Sequence, residues 1–364
     1  MQPDILFKPF NHPKLTLKNR IVMAPMTRQF SPNGIPDENV RDYYRRRAEG
    51  GVGLIITEGT TIAHKAASSD ARIPCFHGAA LDGWQQVVDA VHGAGGKIAP
   101  QLWHVGGIRK PGQGPYPEYP SATPSGLIAP GKQVLEPLST TEIDEIIAAF
   151  TQAAVDAQRL GFDAVELHGA HGYLIDNFFW EGTNQRTDEY GGSLVKRTRF
   201  AAKIVQNIRH RVGEDFPIIL RFSQWKQQDF ASKLAQTPAE LEQFLAPLST
   251  AGVDIFHCST RKFWEPEFDG SDLNLAGWVK QLTSKATISV GSVGLTEEFI
   301  ATYREGTAEL AGLDELIKRM EADEFDLIAV GRALLANTDW ASKVQSGAMQ
   351  SLRTFSKDQL AELV

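Results

Sequence analysis

The chemistry of this chain is most concentrated in His168-Gly169-Ala170-His171-Gly172-Tyr173. Two histidines three residues apart, flanked by glycines just beyond an apolar run, can aim two N–H donors at one oxygen. Tyr173 follows with a proton to give. Each residue also has a plainer reading: loop histidines pair with backbone carbonyls, and a lone tyrosine packs. Metal binding is a third reading, but it needs further ligands. No H-x-H occurs in the chain, so no metal is expected.

Other residues join this segment if they share its surroundings. Arg221 stands inside Ile219-Leu220-Arg221-Phe222, where a charge needs a partner. That partner is an internal carboxylate or an electron-rich ring that becomes anionic. Gln101 offers an amide donor and a carbonyl acceptor, which suits an amide-bearing heterocycle. Gly291-Ser292-Val293-Gly294 and Gly331-Arg332-Ala333-Leu334 place glycine turns where loop N–H groups can hold a phosphate, and Arg332 can add a charge-assisted pair. Tight turns need glycine in any case. Glu58 and Glu166 keep a paired-carboxylate glycosidase open as an alternative.

Eight short β-rich runs must position these groups. They cover residues 21–26, 53–57, 97–102, 164–168, 217–222, 254–259, 287–291 and 326–331, and most are nearly continuously apolar. Helical periodicity fills the gaps at residues 81–92, 141–160, 194–212, 238–251, 275–282, 313–320 and 340–344. Thr141 to Asp144 is read as the capped start of the second of these. Such alternation predicts one (β/α)8 barrel over residues 1–364, a single domain with a long insertion after the third strand at residues 111–137. A second insertion is expected at residues 295–324. An open doubly wound sheet would want a glycine-rich turn after its first strand; Ala24-Pro25-Met26-Thr27-Arg28 stands there instead.

Composition narrows the classes. The 364 residues carry 37 basic and 44 acidic side chains, a net charge of -7 that argues against nucleic acid. Cys75 and Cys258 cannot build a disulfide framework. No run approaches the eighteen or so apolar residues of a membrane span, and residues 1–13 lack the apolar core of a signal peptide. A cytoplasmic protein is expected; homo-oligomerisation stays open.

Taken in order, these pieces resemble the old yellow enzyme family of flavin-dependent ene-reductases. The resemblance rests on the run from Asn19 to Arg28, on Gln101-Leu102-Trp103-His104, on His168 to Leu174, and on Asn184-Gln185-Arg186-Thr187-Asp188-Glu189-Tyr190-Gly191-Gly192-Ser193. It implies a (β/α)8 barrel holding FMN non-covalently, NAD(P)H as reductant, and small electrophilic alkenes as substrates. By position it implies Pro25, Met26 and Thr27 along the isoalloxazine, Gly59 and Gln101 at its pyrimidine edge, and Arg221 facing N1 and O2. Gly291, Ser292, Gly331 and Arg332 would hold the phosphate. His168 and His171 would polarise the substrate carbonyl, Tyr173 would donate the proton, and Trp103 would line the substrate pocket. Two features depart from part of the family: Thr27 stands where some members have cysteine, and residues 178–183 lack the common proline.

Overall fold

The computed structural model describes residues 3–298, 302 and 306–364. Eight strands close into a barrel: β1 (Ile21–Met23), β2 (Leu54–Thr61), β3 (Lys97–Trp103), β4 (Val165–His171), β5 (Ile218–Lys226), β6 (Ile255–Ser259), β7 (Ala286–Val290) and β8 (Leu327–Val330). Their order around the wall is their order in the chain, and every pairing is parallel, with β8 closing on β1 through Ile328 and Ile21. This is the (β/α)8 TIM barrel that the alternation predicted. β2 and β5 run four residues further than the apolar runs suggested, because polar side chains continue the same extended backbone.

The barrel interior carries a small apolar cluster that includes Val22, Leu54, Ile56, Ala99, Ile219, Ile255, Ile288 and Leu327. A hairpin, Phe10–His12 against Leu15–Leu17, packs Phe10, Leu15 and Leu17 onto that cluster. Three-residue strands give too short a pattern to be read from sequence. The outer faces of the strands meet the helices in a second, much larger core.

Several helix boundaries moved. The run at 194–212 is two helices, Leu194–Arg197 and Arg199–Val212, meeting at Thr198. The capped helix spans Thr140–Arg159, and its cap is Ser139 with Glu142, not Thr141. Helix Glu38–Glu49 was not anticipated, although it buries Val40, Tyr43, Tyr44, Arg47 and Ala48 at helical spacing. Its arginines hid the stripe: buried Arg47 donates to the carbonyls of Tyr43 and Leu334.

The insertion after β3 carries a hairpin, Leu127–Ala129 with Lys132–Gln133. The Asn184–Ser193 motif anchors it. Arg186 donates to the carbonyls of Pro124 and Leu138 while pairing with Asp188, and Asn184 Nδ2 donates to Phe178 O (2.7 Å) and Tyr190 O (2.8 Å). The most distinctive motif of the chain is thus a structural clamp. The insertion after β7 holds helix Asp314–Glu321 and the strand Thr307–Ala308, paired with Phe355–Ser356; residues 299–301 and 303–305 lie outside the described residues. Among the described residues no helix is long and apolar enough to cross a membrane.

Candidate active site at the carboxyl ends of the strands

β4 delivers both histidines. Its register against β5 shifts between Gly169 and His171, and His171 takes a positive φ of 66°. Such an irregularity re-aims a side chain at the barrel rim. The backbone N–H of His171 is held by Ser223 Oγ at 2.9 Å. Beyond it, Gly172 (φ 79°) donates its N–H to Asp176 Oδ2 at 2.7 Å, and Asp176 Oδ1 accepts from Lys226 Nζ at 2.8 Å. Asp176 and Lys226 are wholly buried. Tyr173 then leads into the short helix Leu174–Phe179.

The aromatic groups form one cluster. The rings of His168 and Tyr173 lie 4.9 Å apart at 74°, and Trp103 meets Tyr173 edge to face at 4.8 Å and 85°. Trp103 stacks near His168 and also lies against Gly59, where a Cβ would collide with its ring. His171 stacks on Trp225 at 4.4 Å and 23°.

Burial decides the protonation of this cluster. Desolvation, reinforced by the positive charge of Arg221, holds His168 and His171 well below the ordinary histidine value, so both are neutral near pH 7. Burial pushes the Tyr173 hydroxyl up, against a hydrogen bond with Gln227 and the charge of Arg221, so it keeps its proton. Burial also lowers Arg221 from its usual value, while Glu166 and Tyr173 counteract that loss. Beneath this layer Glu166 accepts from Gln101 Nε2 at 2.7 Å and pairs with His257 Nδ1 at 2.6 Å, all inside the barrel. The carboxylate oxygen accepts, so the Gln101 amide is set with its nitrogen on Glu166, and its oxygen has no hydrogen-bond donor among the described residues.

A cavity of about 430 Å³ opens over these groups, within the usual range for small-molecule sites. Of the residues singled out from sequence, Pro25, Met26, Thr27, Gln101, Trp103, His168, His171, Tyr173, Arg221, Gly291, Ser292, Gly331 and Arg332 all line it. Gly59 is not among the lining residues; it bears on the site by seating Trp103. At the end formed by β7 and β8, Arg332 donates to the carbonyls of Glu297 and Glu298 and to Thr302 Oγ1. Ser292 Oγ lies within hydrogen-bond distance of the carbonyls of Arg261 and Glu297, with one proton to give to either.

Sequence reasoning missed Trp225, Phe230 and Arg261 on the cavity wall. Trp225 was within reach, since Arg221, Ser223 and Trp225 alternate along one strand and share a face. Phe230 and Arg261 come from loops and meet as a cation–π pair at 5.5 Å, which no local pattern announces. Glu58 and Glu166 do not form a paired-carboxylate site: Glu58 Oε2 accepts the backbone N–H groups of Arg28 and Gln29, and Glu166 is spent on Gln101 and His257.

Comparison with known proteins agrees with this geometry. The NADH:flavin oxidoreductase / NADH oxidase family profile matches residues 5–351. An NADH oxidase of Thermoanaerobacter brockii is 36% identical over 351 residues, 93% of this chain; the chain spans 50% of that protein's length. An NADPH dehydrogenase of Bacillus cytotoxicus is 34% identical over 336 residues, covering 91% of this chain and 89% of its own. Morphinone reductase, solved in complex with tetrahydroNAD, superposes with a TM-score of 0.80 at 29% identity, covering 98% of this chain and 93% of that one. The barrel and these likenesses agree, and the chain belongs to the NADH:flavin oxidoreductase / NADH oxidase family, the old yellow enzymes.

Proposed function

We propose that this chain is an FMN-dependent NAD(P)H oxidoreductase that reduces activated C=C bonds of α,β-unsaturated carbonyl or nitro compounds. The observation that carries the reading is the meeting of His168, His171 and Tyr173 in one cavity with Gln101 and Arg221. The donor set suits the cofactor. Arg221 Nε is buried with no partner among the described residues, as expected of a cation awaiting an electron-rich ring edge. The Gln101 amide oxygen is left for a ring N–H, and Pro25, Met26 and Thr27 offer a flat wall. Gly291, Ser292, Gly331 and Arg332 would make the phosphate end, a phosphate there displacing the carbonyls that Arg332 now faces. Bound non-covalently, FMN supplies hydride transfer from NAD(P)H to the β-carbon of the alkene.

The protein does the rest. His168 and His171, kept neutral, donate to the substrate oxygen and stabilise the charge that develops there. Tyr173 gives its proton to the α-carbon. Arg221 offsets negative charge gathering at the pyrimidine edge. Trp103 lines the substrate pocket and, seated on Gly59, fixes the angle of Tyr173.

The visible spectrum of the purified protein tests the cofactor assignment. Flavin absorbance, with FMN released on denaturation, is the expected result. A protein that is colourless as isolated and takes up no FMN on incubation would overturn it.

A further inference from the structure

We propose that Ser259 is a positioning residue that sets the tautomer of His171 and ties it to Arg221. The inference rests on the alkene-reductase reading above and assigns a role to a side chain at the end of β6. Ser259 is 2% exposed. Its Oγ lies 3.1 Å from Arg221 Nη2 and 2.8 Å from His171 Nε2.

Donor chemistry orders this chain. A guanidinium only donates, so Ser259 Oγ accepts from Arg221. The hydroxyl has one proton and a second lone pair, and only the tautomer in which His171 Nε2 accepts gives that proton an acceptor among the described residues. His171 then carries its own hydrogen on Nδ1. The burial that keeps the ring neutral supports this count, since a neutral imidazole has one N–H to place. The opposite tautomer would spend that N–H on Ser259 and leave no donor for a substrate oxygen.

The surroundings hold the ring in this arrangement. Trp225 stacks on His171, and Trp225 Nε1 donates to the backbone carbonyl of Ser259 at 3.2 Å. His168 is set the other way. The N–H of Ala170 reaches its Nδ1 at 3.4 Å, which makes that nitrogen the acceptor and leaves Nε2–H to donate. The pair therefore presents one Nδ1–H and one Nε2–H. A donor already engaged by a cation is polarised, so Arg221 strengthens the Ser259 bond to His171. The charge facing the flavin and the donor facing the substrate are linked through one hydroxyl.

The test is 15N NMR of histidine-labelled holoenzyme, joined to titration with 4-hydroxybenzaldehyde. In the wild type, His171 should show a protonated Nδ1 and an acceptor Nε2. Ser259→Ala should mix the tautomers and weaken phenol binding by roughly 2- to 12-fold, the size of one ordinary hydrogen bond. Ser259→Thr, which keeps the hydroxyl, should restore both. A wild-type His171 protonated on Nε2 overturns the proposal without any variant. So does a Ser259→Ala protein with the wild-type tautomer and wild-type phenol affinity. A correct tautomer in a wild type that binds no phenol supports the assignment for Ser259 and counts against the alkene-reductase reading.

Discussion

The rings of His168 and His171 meet edge to face, their centroids 5.2 Å apart and their planes at 88°. Two imidazoles so arranged approach one point from different directions, as a pair of donors to a single oxygen requires. Replacing either with alanine should weaken phenol binding and slow alkene reduction while FMN stays bound. Loss of one donor to a developing oxyanion costs about 2.7–4 kcal/mol, or roughly 100- to 1,000-fold in rate. Steady-state kinetics and phenol titration of each variant measure this; full turnover with unchanged phenol affinity in either would remove that histidine from the site.

Tyr173 differs from the histidines in when it acts. Burial keeps its hydroxyl protonated, and in the proposed reaction only the step that saturates the alkene needs that proton. For Tyr173→Phe, flavin reduction by NAD(P)H should stay near the wild-type rate. Reoxidation by an enone should slow on the order of 100- to 10,000-fold. Stopped-flow absorbance separates the two halves. Slowing confined to the reductive half, or in neither half, returns Tyr173 to a packing role.

The loop carrying Tyr173 hangs on an ion pair that the cavity never touches. Asp176→Ala would leave Lys226 buried and uncompensated and would free the Gly172 N–H. Stability should fall by about 3–5 kcal/mol, whereas the double change Asp176→Ala with Lys226→Met should recover part of it. Denaturant unfolding decides this. A single variant as stable as wild type would show that the pair does not hold the loop.

Glu58 gives the fold a pH dependence. Burial pushes its carboxyl from the ordinary 4.5 up to about 7, against the hydrogen bonds from the Arg28 and Gln29 backbone. Because the folded value lies above the unfolded one, the stabilising contribution is complete below about 4.5 and is lost as pH rises through 7. The slope is at most about 1.4 kcal/mol per pH unit in that window. Buried histidines push the other way over part of it, so the wild type and Glu58→Gln are compared at each pH. The variant should lack this decline. Parallel stability curves from pH 5 to 8 would place the titration elsewhere.

The barrel was legible because each strand is a short apolar run followed by a helical stripe, a pattern written locally. Most of the cavity-lining residues were legible because they stand at the ends of those runs. Ser259 was visible at such an end, yet its role depends on Arg221 and His171, 38 and 88 residues away in the chain. The Gln101–Glu166–His257 bridge likewise depends on barrel closure, which sets strands far apart in sequence across a shared interior. Helix Glu38–Glu49 went unread because Arg47 is buried among tyrosines, where its stem packs and its charge finds carbonyls. Charge alone concealed an amphipathic stripe.

In the proposed reaction, electrons from NAD(P)H pass through bound flavin to an activated alkene. Anaerobic double-mixing stopped-flow follows that path: NADPH or NADH is mixed first, cyclohex-2-enone second, and flavin absorbance is recorded throughout. The flavin band should bleach with the nicotinamide and return with the enone, yielding one saturated ketone per flavin. A band that bleaches and then stays bleached in the presence of the enone, with no saturated ketone formed, would rule out alkene reduction by this protein.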